Sequence, residues 1–172
     1  MDPTRKMADL KLSSVDAELL GQDVPIDLDT LQNLTLVALA NEMAGGAQAL
    51  LDAAVEYTKL RVQFGRTIGS FQAIKHRLAD LLLIVESAKS AAYQAAVAFD
   101  NNEDVSEHAS LAKAATSEAY LQAAIDCVQL HGGIGFTWEN DTHLWFKRAK
   151  SSEVFMGTPA FHRERMLQAM GV

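Results

Sequence analysis

The chain has 172 residues, enough for one domain with a real core, or one domain and a short appendage. Net charge is −7 with pI near 5.1, and no stretch concentrates Lys and Arg, which argues against a nucleic-acid partner. The single cysteine, Cys127, rules out an intrachain disulfide or a cysteine-based zinc cluster. Its Ala-rich surroundings read as those of a buried, inert thiol. No apolar run stands out as membrane-spanning and no signal-peptide core opens the chain, so the expectation is a cytoplasmic protein with no membrane partner.

Residues 1–25 read as a leader. Leu10, Leu12 and Val15 alternate with polar neighbours before Leu19-Leu20-Gly21. The segment is either a residual strand of a sheet domain or a flexible leader, and the alternation favours strand. Residues 26–172 read as one helical domain, because prolines stand only at 3, 25 and 159 and the interval is rich in Ala and Leu.

The first helix is expected from Asp27–Thr30, capped by Asp29 or Thr30, to about Val62. Leu34, Val37, Ala38, Met43, Ala47, Leu50, Leu51, Ala54 and Val55 form its apolar face. Gly65 and Gly69 then mark a turn. Ser70 is the expected N-cap of a second helix over Phe71–Asp100, with Leu78, Leu81, Leu82, Val85, Ala88, Ala92 and Ala96 inward. After the polar loop Asp100–Asp104, Ser106 caps a third helix to about Leu130, stopped by Gly132-Gly133. A shorter helix spans about Asn140–Phe155 and ends at Gly157. Thr158-Pro159, a capping hydroxyl before a proline at the first helical position, starts the last helix, to about Ala169. The predicted fold is all-α, an up-and-down bundle.

Two elements are unusual. Arg61-Val62-Gln63-Phe64-Gly65 closes the first long helix, and Gln129-Leu130-His131-Gly132-Gly133-Ile134-Gly135-Phe136 closes the third. Glycines that open a helix after a strand suggest a dinucleotide loop; glycines that close a helix give a C-cap where backbone can approach a ligand. The plain alternatives are a helix stop at the glycines, a helix-end cation at Arg61, core aromatics at Phe64 and Phe71, and a solvated Gln72.

With Ile68-Gly69-Ser70-Phe71-Gln72, Leu78-Ala79-Asp80, Ala109 to Lys113 and Gly157-Thr158, these pieces form an ordered set over residues 27–172. The set resembles the C-terminal helical domain of the acyl-CoA dehydrogenases, flavoenzymes that introduce a C2–C3 double bond into acyl-CoA thioesters. The leader, with Asp2-Pro3-Thr4-Arg5, is similar to the end of that family's middle β-domain. The resemblance implies FAD at a subunit interface, bound mainly by a neighbouring chain. Carried over by motif, Arg61 would reach the pyrophosphate, where a planar guanidinium suits phosphate oxygens. Gln63, Phe64 and Gln72 would lie beside the adenosine end. Gln129, Gly132 and Gly133 would approach the pyrophosphate and ribose, and Thr158 would touch the cofactor through its hydroxyl.

The family's reaction needs a carboxylate to take the α-proton. In many members it stands directly before Gly-Thr, where this chain has Met156. In others it lies on the first long helix, where this chain has Thr35, followed by Leu36 in place of a frequent arginine. No catalytic residue is therefore assigned; Glu42 and Glu153 read as surface or helix-pairing carboxylates. His143 and His162 are isolated, and no metal site is expected. The pattern resembles the partner subunit of bacterial α2β2 members, in which another acyl-CoA dehydrogenase-like subunit carries the base. Segments missing relative to the family make the chain either a C-terminal fragment or a short partner, not catalytic by itself. The alternatives are a piece of an active dehydrogenase with an unrecognised base such as Glu42, and a flavin-free helical scaffold.

Overall fold

A computed structural model describes residues 2–21 and 25–172. Five α-helices are formed among them: α1 (Leu28–Leu60), α2 (Gln72–Asp100), α3 (Ser106–His131), α4 (Thr142–Val154) and α5 (Pro159–Ala169). A two-residue-per-strand hairpin, β1 (Val62–Gln63) with β2 (Arg66–Thr67), joins α1 to α2 through a short 3-10 turn, Ile68–Ser70. A second 3-10 turn, Gly132–Phe136, follows α3.

Side-chain contacts fix the directions. Asn33 reaches Ser106 at the start of α3, and Tyr57 reaches His131 at its end, so α1 and α3 run parallel. Lys89 bonds Gln48 while Gly69 lies against Thr58, so α2 runs back along α1. α3 is the central helix and touches all four others. Its buried alanines 109, 112, 119, 123 and 124 let neighbours come close. Gly46 serves the same end on α1: a Cβ there would meet the Tyr120 ring at 2.6 Å. A mid-helix glycine costs about 1 kcal/mol relative to Ala, and the packed Tyr120 ring offsets it.

The up-and-down bundle is as expected, and several local expectations shift. α1 is capped by Asp27, whose carboxylate accepts the Thr30 N–H at 3.0 Å, rather than by Asp29 or Thr30. It stops at Leu60, because Arg61 is already extended (φ −71°, ψ 122°). Ser70 does not cap α2: its hydroxyl donates to Thr67 O within the 3-10 turn, leaving Phe71 in the cap position. At α3 the capping acceptor is Asp104, which takes the Ser106 N–H at 3.0 Å. Leu34, Ala38 and Leu82 face outward, and Leu36, Leu39, Ala40 and Ala95 fill the core instead. Thr158 caps α5 with Pro159 in its first turn, as read.

α1 is long and apolar enough by composition to cross a membrane, contrary to the reading that no run qualifies, but more than half of that stretch is buried in the bundle. It is a core helix of the bundle.

The leader forms no strand over residues 2–21, and Leu10, Leu12, Val15, Leu19 and Leu20 are exposed. Strand needs a partner edge, and among the described residues no strand pairs with the leader. The leader is tied down at its start by charge instead. Arg5 and Arg148 both donate to Glu42 at 2.9 Å, with Asp2 and Thr4 beside Arg148. The expected domain boundary at residue 25 adjoins residues 22–24, which lie outside the described set.

Candidate functional site

The end of α1 sets the first half of the site. The Arg61 N–H completes the helix by donating to Tyr57 O at 2.9 Å, and the chain then turns through Phe64 (φ 53°) and Gly65 (φ 77°). Positive φ at both central residues is the type I′ hairpin, for which glycine is suited and a bulky aromatic is not. Phe64 is held in that strained conformation at 91 % exposure, so it is no core aromatic. Its ring meets Phe71 edge-on at 6.2 Å, and the Arg66 guanidinium covers the half-buried Phe71 at 3.9 Å. Arg66 thus has a local partner. Arg61 is exposed, and no hydrogen bond or ion pair holds its guanidinium among the described residues. Gly69 seats the hairpin, since a Cβ there would stand 2.9 Å from Thr58 O.

The end of α3 sets the second half. Gly132 adopts φ 66°, ψ −140°, a conformation that side-chain-bearing residues avoid, and it redirects the backbone into the 3-10 turn. Gly132 and Gly133 are exposed with open space where a Cβ would be. Gly135 is different: it is buried, and a Cβ would stand 2.9 Å from Val128 O. Ile134, Phe136 and Trp138 add exposed apolar surface beside them.

Tyr57 and His131 join the halves. Their rings stack at 4.0 Å, and the Tyr57 hydroxyl lies 3.4 Å from His131 O. His131 Nδ1 sits 2.7 Å from Cys127 O, a contact that requires the proton on Nδ1. Cys127 beneath it is fully buried, and burial pushes its thiol up to about 11, which keeps it protonated and inert. Arg61, Gln63, Phe64, Gln72, Gln129, Gly132 and Gly133 therefore lie at one end of the bundle, every one exposed. The fit to a dinucleotide is good on this side: a guanidinium with no partner among the described residues, amide side chains, an outward aromatic and open glycine backbone.

Thr158 is not with them. Its turn is held against Lys113, sixteen residues before Gln129 on α3, which is about 24 Å along the axis at 1.5 Å per residue. Thr158 is exposed; its Oγ1 accepts the Phe161 N–H at 3.3 Å, which leaves the hydroxyl proton free to donate outward. The preceding residues are both left-handed, Met156 at φ 61° and Gly157 at φ 112°.

The two positions at which the resemblance expects a base, Met156 and Thr35, hold no carboxylate. Met156 packs on the cluster that contains Leu36. Thr35 spends its hydroxyl on Leu31 O at 2.8 Å. The spot is apolar, and neither nearby carboxylate replaces the base. Glu153 pairs with Lys150, and Glu42 is held between two guanidiniums. No group of three His, Cys, Asp or Glu side chains gathers among the described residues.

Sequence reading missed Tyr57, His131 and Lys113. Lys113 had a visible signal: a cation within an apolar stripe, with Ala109, Thr116 and Tyr120 at helical spacing, all buried.

The profile of the acyl-CoA dehydrogenase C-terminal domain matches residues 31–171. The chain is 46% identical over 159 residues to acyl-CoA dehydrogenase IpdE2 of Mycobacterium tuberculosis, covering 92% of this chain and 46% of that protein. Among solved structures it is similar to butyryl-CoA dehydrogenase from Megasphaera elsdenii, with TM-score 0.77 and 29% identity over 83% of this chain and 38% of that one. It is also similar to a Tcur3481-Tcur3483 steroid ACAD G363A variant, with TM-score 0.78 and 29% identity over 81% of this chain and 38% of that one. The chain spans about half the length of the curated relatives it matches.

Proposed function

The chain belongs to the acyl-CoA dehydrogenase family through its C-terminal helical domain, and on that premise we propose that it supplies one wall of an interfacial FAD site. The overall reaction is flavin-dependent α,β-dehydrogenation of an acyl-CoA thioester, in an oligomer in the cytoplasm. In this reading residues 26–172 are the helical domain and 1–25 the end of a β-domain.

The observation that carries the reading is the Tyr57–His131 stack, which brings Arg61 and the Gly132-Gly133 backbone to one exposed end. Arg61 would hold the pyrophosphate, with Gln129 and the glycine backbone beside it and the ribose. Gln63, Phe64 and Gln72 would line the adenosine. Bound FAD would supply the hydride acceptor. Thr158, far along α3, would donate its hydroxyl to another part of the cofactor or to a second, symmetry-related flavin.

The chain does not carry the base in this proposal. Met156 and Leu36 make that locus apolar, so the carboxylate comes from elsewhere, and a second acyl-CoA dehydrogenase-like subunit is the proposed source. The similar Tcur3481-Tcur3483 steroid ACAD, named for two proteins, favours that arrangement.

Co-expression tests this. The chain purified alone should be colourless and inactive on acyl-CoA thioesters with an electron acceptor. Co-purified with a partner bearing Glu before Gly-Thr, it should form a yellow mixed oligomer. Turnover by the chain alone, or a light-scattering monomer that never joins the partner, contradicts the proposal.

A further inference from the structure

The turn between α4 and α5 has an unusual support. Its backbone passes through two consecutive left-handed residues, Met156 and Gly157, before Thr158 begins α5. A non-glycine residue with positive φ costs free energy that the surroundings must supply. Here the surroundings are two buried titratable side chains. Lys113 is fully buried on α3, and its Nζ donates to Glu153 O at 3.2 Å, to Gly157 O at 3.0 Å and to the Ser117 hydroxyl at 3.0 Å. The three donors of an ammonium are thereby matched to three acceptors, the condition for keeping a cation inside a core. His162, also fully buried, places Nε2 2.9 Å from Met156 O, which requires the proton there. The carbonyls of Glu153, Met156 and Gly157 are therefore all held by these two side chains.

We propose that Lys113 is a positioning residue that, with His162, locks the left-handed Met156–Gly157 turn and so presents the Thr158 hydroxyl outward. The link to flavin rests on the function proposed above; the lock itself does not. An apolar side chain of the same length would fill the space more cheaply. The oriented donors of Lys113 do what such a side chain cannot, which is to tie the carbonyl of the left-handed Gly157 to the Glu153 carbonyl in the last turn of α4.

Burial lowers the Lys113 ammonium to about 8, opposed by Glu153, and this gives a probe on the unmodified chain. A neutral amine has two donors for three acceptors, so one contact is lost as the proton leaves. Among the described residues, the charged or titratable groups that face it are Glu153 from α4 and His162 from α5, with Arg165 beside His162. α1 presents the Met43 thioether through Ser117, and the α2 residues packed on this stretch are alanines. Burial also lowers His162 from its usual range, so its titration is displaced away from that of Lys113.

Backbone NMR on the 172-residue chain reads the turn directly. The Gly157 amide should shift with a midpoint near pH 8, while Gly65 and Gly132 stay still. Lys113→Met should keep the helical circular dichroism, abolish that titration, and displace or broaden the Met156 and Gly157 signals alone. In the flavin-holding complex, Thr158→Ala should lower FAD retention by about three- to tenfold, the worth of one hydrogen bond. Lys113→Met should do the same, and the double variant should lose no more than either. A Gly157 amide that does not titrate between about pH 7 and 9, or a Lys113→Met chain whose turn signals match the parent, overturns the lock. So does equal displacement of all glycines, which marks general loosening. If Lys113→Met does not fold, the titration alone decides. If Thr158→Ala retains FAD normally while the Gly157 titration is present, the flavin role of Thr158 fails and the lock stands.

Discussion

Tyr57 and His131 stack with centroids 4.0 Å and planes 23° apart, and this contact joins the end of α1 to the end of α3. It sets where Arg61 stands relative to the Gly132-Gly133 backbone. An aromatic pair contributes about 0.5–1.5 kcal/mol beyond its buried area. His131→Ala should therefore cost about 1 kcal/mol of stability in a urea melt. FAD retention by the complex should fall further than that small loss accounts for, because both halves of the proposed flavin wall lose their register. Retention unchanged in a destabilised His131→Ala chain makes the stack purely structural.

Arg77 and Asp126 form the cross-link between α2 and α3. The Asp126 carboxylate is 4 % exposed and accepts from Arg77 Nε at 2.8 Å, Arg77 Nη2 at 2.6 Å and Gln122 Nε2 at 3.0 Å. Removing Arg77 leaves a buried carboxylate short of donors. Arg77 is itself 42 % exposed, so water can partly replace it. Arg77→Met should cost about 2 kcal/mol, below the 3–5 typical of a fully buried pair, and Arg77→Met with Asp126→Asn should recover part of it. Thermal melts of the single and double variants decide; an unchanged single variant contradicts the reading.

His162 makes stability depend on acid. Burial lowers its folded-state value below the usual 6.5, so the unfolded chain binds a proton there that the folded chain refuses. The contribution is complete above about 6.5 and is lost as the pH falls through the lower folded value. Denaturant midpoints should drop over that window, and His162→Gln should flatten the slope. An equal slope in the variant assigns the effect to another group.

Met156→Glu should not create a dehydrogenase from this chain. The new carboxylate would replace a side chain that packs on apolar clusters, at a cost of about 1–3 kcal/mol unless it is protonated. The expected outcome is a lower melting temperature and no turnover. Turnover in that isolated variant means the chain forms a complete thioester site.

Local signals in the sequence were enough for the bundle and for one cap. Thr158-Pro159 is legible because the capping hydroxyl and the proline are adjacent; Asp29 and Thr30 read equally well as caps, and only the structure shows Thr30 as the partner of the true cap, Asp27. The leader alternated like a strand, but alternation supplies no edge to pair with, and its leucines remain exposed. What escaped depends on distance along the chain. Tyr57 and His131 are 74 residues apart, and Lys113 meets Gly157 across 44. The strained φ of Phe64 was also invisible, because Phe64-Gly65 carries no common turn dipeptide to announce a type I′ hairpin. The missing carboxylate at Met156 and Thr35 is legible only through the family resemblance; that Met156 packs on the cluster containing Leu36 comes from the fold.

Flavin retention by Arg61 variants in the mixed complex tests the central claim most directly. The guanidinium is exposed and unpaired among the described residues, so Arg61→Ala should leave helicity and melting temperature nearly unchanged. Losing a charge-assisted phosphate contact should cost about 1.5–3 kcal/mol, roughly ten- to a hundredfold in FAD retention. Arg61→Lys should recover part of that, since an ammonium lacks the planar fork. Normal FAD retention by both variants, with a fold that melts several degrees lower, would contradict a flavin-facing role for this end of the bundle.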